Sequence, residues 1–268
     1  MRVLAFALIF CSFPVLIFAQ AFPEIHCKHF FYGYPTGTPS TNDLIIRDVY
    51  ALSSNDYTKF ADWVAYRLDR ETVSGESKTE RKWKADPWLD DEETLEPDDF
   101  KNVSDLRMDR GHQAPLASFK GTEYAADTNF LSNITPQKSD LNQGAWVRLE
   151  NKERDLALSY GEIYVITGPL YEKEMPKLPN ADEVHVIPSG YWKIILIKTG
   201  NALNSISVAS FIFDQESKRG DELIDHLATI DEIERRSGLD FLRELPDAIE
   251  EQIESKDFRE WAVEHLRQ

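Results

Sequence analysis

Cysteine is nearly absent. The 268 residues hold two, Cys11 and Cys27, and Cys11 lies in an N-terminal apolar stretch that reads as a removable leader. Cys27 then stands alone, so no internal disulfide is expected and stability must come from a packed core. Basic residues are also scarce beside acidic ones: 30 Lys and Arg against 47 Asp and Glu give a formal charge of −17. Such a molecule is repelled by membranes and polyanions unless a local basic cleft or a bound cation reverses the field. Beyond the N-terminus no segment approaches the ~20 apolar residues that span a bilayer. There is no HExxH pair, CxxC pair, P-loop or GxSxG elbow. The six histidines are scattered and do not form a zinc site by spacing. Internal repeats and low-complexity segments are missing too.

What is present begins with "MRVLAFALIFCSFPVLIFAQA". One arginine, an apolar run and a small-residue end make residues 1–21 a secretory signal cleaved near Ala21. Pro14 interrupts the run, which argues against an uncleaved anchor. Residues 22–268 are expected to be one domain of a secreted or periplasmic protein, and the 42% hydrophobic content suits a globular core.

Hydrophobic patterning gives a coarse map. Residues 56–69, "DYTKFADWVAYRLD", put Phe60, Trp63, Val64 and Leu68 near helical spacing, yet "WVAYRL" suits a strand equally well. Residues 86–99, rich in carboxylates and without a base, read as a solvated acidic loop; a calcium loop would need regular ligand offsets and a turn glycine. Residues 145–158 read as a helix with a Glu150–Arg154 pair. Strand-like runs follow at 163–171, 191–198 and 206–213. The last third is acidic and helical, and "DEIERRSG" stops at Gly238. Strands and helices without regular βαβ alternation argue for an α+β fold with a mainly antiparallel sheet flanked by helices.

Chemistry concentrates in two stretches. In "MDRGHQAP" (108–115), His112 follows Gly111, which permits close backbone approach, and precedes Pro115, which ends the extended segment. Taken alone, His112 could be structural or exposed as readily as catalytic. Arg110 suits an anionic substrate, and Asp109 could orient a neighbour. In "NFLSNITPQKSDLNQGAWVRLE" (129–150), Asn133 and Asn142 suit a turn and a helix start, yet an amide oxygen can also hold a hard cation such as Mg²⁺. Glu150 lies ~12 Å along and ~80° around from Asn142 on an unbroken helix, so the two cannot easily share one ion directly. Glu150 could serve such an ion through a hydrogen-bonded water, or simply pair with Arg154.

Together these stretches resemble the DNA/RNA non-specific endonuclease family, the sugar-non-specific nucleases of the secreted Serratia type, related to endonuclease G. "TKFADWVAY" (58–66), "RKW" (81–83), "TGPLY" (167–171), "IPSGYWK" (187–193) and "DEIERRSG" (231–238) extend the likeness in the same order over most of the chain. The resemblance implies a ββα-metal (His-Me finger) core and a single nuclease domain. It implies His112 as general base, Asn142 as the protein ligand of one Mg²⁺ (with Mn²⁺ as substitute), and Glu150 as holder of the ion's water shell. Arg81 would stabilise the phosphorane-like transition state and Arg110 would support the phosphate. Asn133 and Arg154, with Asn129 a weaker candidate, would position substrate or water. Asp109 would be scaffold. The expected substrates are single- and double-stranded DNA and RNA, cut internally to 5′-phosphates. Some relatives dimerise, and an inhibitor protein is a further partner to consider. An exported phosphodiesterase or nucleotidase acting on small phosphate esters is the alternative. Asn102-Val103-Ser104 and Asn133-Ile134-Thr135 match glycosylation sequons, and a glycan on Asn133 would obstruct the implied site.

Overall fold

The computed structural model describes residues 23–76 and 79–266. The leader assigned to residues 1–21, with Cys11, lies outside the described residues. Cys27 is free and half-buried.

Among the described residues, eight strands form two antiparallel sheets: β1 (Asp43–Ile46), β2 (Ala51–Ser54), β3 (Ala61–Asp69), β4 (Met108–His112), β5 (Ile134–Lys138), β6 (Glu162–Leu170), β7 (Gly190–Lys198) and β8 (Ile206–Asp214). Six of them make one sheet in the order β1-β2-β3-β6-β7-β8, and among the described residues β4 pairs only with β5. The helices are α1 (Arg70–Val73), α2 (Ser139–Leu141), α3 (Val147–Tyr160), α4 (Ile230–Ser237), α5 (Asp247–Glu254) and α6 (Arg259–Leu266). No helix among the described residues is long and apolar enough to cross a membrane.

Both faces of the six-stranded sheet are covered. Val64, Tyr66 and Leu68 of β3 and Tyr191, Ile195 and Ile197 of β7 pack on the face that carries α3 and α6. Trp63, Trp192, Ile194 and Leu196 point the other way, against Ile230, Ile233, Phe241 and Ile253 of the C-terminal helical region. This two-sided burial is why residues 56–69 mimic a helix: successive strand residues point to opposite faces, and here both faces are apolar. The segment is a strand from Ala61 onward. The three later strand expectations hold, and α4 ends at Gly238 in the left-handed conformation (φ 75°), where the absence of a Cβ removes the steric penalty.

Two expectations change. The acidic segment 86–99 is not fully solvated: Asp86 is buried at 1% exposure and pairs with buried Arg47, which also stacks on Trp88 and Phe130. The base that neutralises Asp86 comes from far away in the sequence. The helix thought to begin near Ala145 starts at Val147, and a π-helical turn (Asn142–Trp146) precedes it. Gly144 sits there at φ −109°, ψ −114°. A Cβ at Gly144 would lie 2.7 Å from the Cα of Arg219, so the turn widens where another backbone crosses it. The phase between Asn142 and Glu150 therefore differs from that of an unbroken α-helix.

Between sheet and α3 lies a fully buried ion pair. Lys193 Nζ donates to Glu153 Oε1 at 2.7 Å, and Tyr66 Oη donates to Glu153 Oε2 at 2.8 Å. The same ammonium stands 4.3 Å from the Trp146 ring centroid. Removing one partner of such a pair leaves an uncompensated charge in an apolar site. Lys193→Met should therefore cost about 3–5 kcal/mol in urea unfolding. A loss below about 1 kcal/mol would show that Glu153 finds other compensation.

Candidate active site

The β4–β5 ladder presents "DRGH", with Gly111 opposite Thr135 and His112 opposite Ile134. A Cβ on Gly111 would meet Gln137 Oε1 at 2.7 Å, so glycine is what allows Gln137 to lie over the ladder. One carboxylate joins this strand pair to the helical segment that follows. Asp109 Oδ1 accepts from Ser139 Oγ at 2.8 Å; its Oδ2 accepts from Asn142 Nδ2 at 2.9 Å and Gln143 Nε2 at 2.8 Å. Asp109 is thus the scaffold expected of it, with both oxygens engaged.

His112 is held at both ends. Trp146 Nε1 donates to the His112 carbonyl at 3.3 Å, and the imidazole lies 5.2 Å from the Trp83 ring. His112 Nε2 is 3.2 Å from Asn129 Oδ1, while Asn129 Nδ2 donates to the Glu80 carbonyl at 3.4 Å. A carbonyl oxygen only accepts, so Nε2 carries the proton and the lone pair of the neutral ring is on Nδ1. Burial pulls the imidazole down from its usual range to about 4; the Asn129 bond opposes this and the charge of Arg81 adds to it. The ring is therefore neutral, and able to accept a proton, at physiological pH.

Asn142, Arg81, Trp83, Phe100, Lys101, Asp109, Arg110 and Gln143 contribute to a cleft of about 590 Å³. Arg81, Lys101 and Arg110 face Asp109 alone among its charged lining residues, so the cleft is basic within an acidic molecule. The Arg110 guanidinium lies 5.4 Å from the Phe100 ring centroid and 5.7 Å from that of Trp83, with one bond to the Pro97 carbonyl at 3.3 Å.

The remaining candidates divide. Glu150 is half-buried, and no hydrogen bond engages its carboxylate among the described residues. Desolvation pushes its carboxyl up to about 7, against the pull of Lys193 and with a further push from Glu153. Arg154 does not close the expected ion pair with Glu150: it donates to Ser118 Oγ at 3.1 Å and to Asn151, acting on Glu150 only through its charge. Asn133 is fully buried. Its Oδ1 accepts from the Ala114 amide at 2.8 Å, and its Nδ2 donates to the carbonyls of Ala114 and Thr128 at 3.0 and 2.8 Å. It fastens the loop after His112 and offers substrate no exposed polar atom. Sequence reasoning missed Lys193 and Glu153, which sit in an apolar strand and on a helix surface pattern, and Trp83, whose only signal was its place beside Arg81.

A hard divalent cation fits these residues. The Asn142 nitrogen is committed to Asp109, which leaves its Oδ1 as the hard oxygen donor for the cleft. Glu150, which feels the charge of the cleft residue Arg81, has no competing hydrogen-bond partner among the described residues and ionises more readily beside a cation.

These features belong to an enzyme that handles polyanions, and the chain is a member of the DNA/RNA non-specific endonuclease family, whose model matches residues 29–248. It is 48% identical over 227 residues to the Nuclease of Serratia marcescens, covering 84% of each chain. It is 30% identical over 219 residues to human mitochondrial endonuclease G, covering 77% of this chain and 71% of that one. A chain in the crystal structure of the EndoG/EndoGI complex superposes with a TM-score of 0.68 at 22% identity, covering 80% of this chain and 90% of that one. That last likeness concerns the fold. The protein is a DNA/RNA endonuclease.

Two outcomes test the geometry. Asn129→Ala frees the imidazole tautomer and should lower kcat about 10–100-fold with the fold retained; unchanged kcat would remove the orienting role. For Glu150 the folded carboxyl is pushed up to about 7 from its ordinary value of 4.5, so the native state binds more protons than the unfolded state between those values. Its contribution to stability is present below about 4.5 and lost as pH rises through about 7. In EDTA, Glu150→Gln should gain stability relative to the parent across that window; a pH-independent difference would contradict the shift.

Proposed function

We propose that the protein is a secreted, Mg²⁺-dependent nuclease that cleaves DNA and RNA, single- or double-stranded, at internal phosphodiester bonds and leaves 5′-phosphates. The observation that carries this reading is a pair of oriented side chains, one on β4 and one on the helical turn that follows β5. His112 has its tautomer set by Asn129, and Asn142 has its amide set by Asp109. The antiparallel β4–β5 pair followed by a helix supports reading this unit as a ββα-metal core, within one catalytic domain over residues 22–268.

His112 Nδ1 takes a proton from water as that water attacks phosphorus. Asn129 keeps the opposite nitrogen protonated and hydrogen-bonded, so the ring does not turn away. Arg81 and Arg110 place positive charge along the cleft where phosphate charge grows during attack. Asn142 Oδ1 would hold the Mg²⁺, with the Glu150 carboxylate aligning its hydration shell. A bound Mg²⁺, or Mn²⁺ in its place, neutralises phosphate charge and supplies an acidic water for the leaving oxygen. No ribose hydroxyl takes part, so both DNA and RNA are substrates. The apolar leader at residues 1–21 supports export, with cleavage near Ala21. The inhibition of EndoG in its complex with EndoGI supports an inhibitor protein as a further partner. A homodimer is a further assembly to test by sedimentation.

The decisive comparison is wild type against His112→Ala on supercoiled plasmid and on RNA, with Mg²⁺ or EDTA. Loss of general-base catalysis should lower the rate about 10²–10⁴-fold, and EDTA should stop wild-type nicking. Full activity in His112→Ala, or hydrolysis of small monoesters only, would overturn the proposal.

A further inference from the structure

On the sheet face opposite the catalytic cleft, α4 and α5 bring three carboxylates together. Asp231 and Glu234 stand on one face of α4, and Glu254 ends α5; one oxygen from each lies within 4.8 Å of the others. Among the described residues two other carboxylate triads have similar spacing, Asp43–Asp56–Glu93 and Asp99–Asp182–Glu183. The α4–α5 group differs in what its innermost member does. Glu254 is only 7% exposed, and its Oε1 is buried with no hydrogen-bond partner. An ionised oxygen in that position is strongly destabilised unless a proton or a metal cation meets it.

The surroundings do not supply one from the neighbouring arginines of α4. Arg235 is bonded to Glu232, and Arg236 to Glu172. Glu234 uses one oxygen to accept the Phe241 amide at 2.9 Å, which fixes its side chain but brings no positive charge. The charges that act most strongly on Glu254 are those of Glu234, Glu250, Asp231 and Asp240, all negative. Desolvation first, then these neighbours, push Glu254 up to about 9 and Glu234 up to about 7. The helices cannot easily swing apart to relieve the strain, because Ile230, Ile233 and Ile253 anchor both in the core.

We propose that Asp231, Glu234 and Glu254 form a Ca²⁺ site, separate from the catalytic cleft, that clamps α4 to α5. The donor set is all carboxylate oxygen, which suits a hard cation and not zinc or copper. Calcium takes oxygens at about 2.3–2.6 Å in flexible geometry and tolerates an open coordination sphere completed by water at the exposed Asp231 edge. Magnesium demands a tighter octahedron and gives up its waters reluctantly. Occupation would displace the proton that Glu254 holds at neutral pH and fasten the C-terminal helices to the sheet. It would add stability that depends on free Ca²⁺ concentration.

The test uses the full chain stripped with EDTA and titrated with Ca²⁺ by calorimetry, with Tm read in parallel. Five proteins are compared: the parent, Glu254→Gln, Asp231→Asn, Asn142→Ala, and Asn142→Ala with Glu254→Gln. Glu254→Gln should weaken one class of Ca²⁺ site about tenfold or more in both backgrounds and abolish its Tm increment. Asn142→Ala alone should leave that class intact. The same subtraction is made with and without Asn142, so the result stands apart from the identity of the catalytic metal ligand. Asp231→Asn, on the exposed rim, is the second variant and should weaken the same class without unfolding the chain. Ca²⁺ binding unaffected by both substitutions, or no Ca²⁺-dependent rise in Tm in the folded parent, would overturn the site.

Discussion

The site rests on one buried ammonium. Lys193 of β7 neutralises Glu153 of α3 in the layer between sheet and helix, where neither charge could persist alone. That pair sets α3 over the sheet and, through the ammonium beneath its ring, the indole of Trp146. Trp146 in turn donates to the carbonyl of His112. The chain of contacts runs from the core of the sheet to the backbone of the proposed base without crossing a flexible surface side chain. Such support is costly in desolvation, yet it gives direction as well as attraction, which an apolar contact lacks.

The same economy of charge applies to the whole molecule. A formal −17 opposes any encounter with nucleic acid, and the cleft meets that opposition with Arg81, Lys101 and Arg110 in its lining. Fields from distant carboxylates fade over ~8 Å at physiological salt, whereas these three line the cleft itself. The arrangement favours contacts to phosphate over contacts to bases, and phosphate is the part that every nucleic acid shares. Acidic surface elsewhere discourages prolonged adhesion of long polyanions.

Much of this was legible in the sequence where a signal was local. The three long strands of the second half and the glycine stop of α4 could be read from spacing and residue type. The family followed from the order of motifs. Long-range features could not be read this way. Residues 56–69 carry an apolar pattern on both parities because both sheet faces are buried. The π turn at Gly144 exists because the backbone of Arg219 crosses it, and no local propensity reports that crossing. Asp86 looked solvated because its partner Arg47 lies far upstream. Arg154 faced Glu150 on a helical wheel, yet Ser118 and Asn151 take its donors. Asn133 had the composition of a polar site residue; only the fold reveals that its amide serves the backbone of Ala114 and Thr128.

That interior amide bears on the order of events in the life of the chain. Asn133 begins a sequon, but once the loop closes around it no transferase can reach its nitrogen. A sugar could be attached only to a nascent, still-open chain, and would then occupy the space that Ala114 and Thr128 need. Synthesis in a glycosylating secretory compartment therefore becomes a race between folding and modification, whereas a compartment without the transferase imposes no such contest.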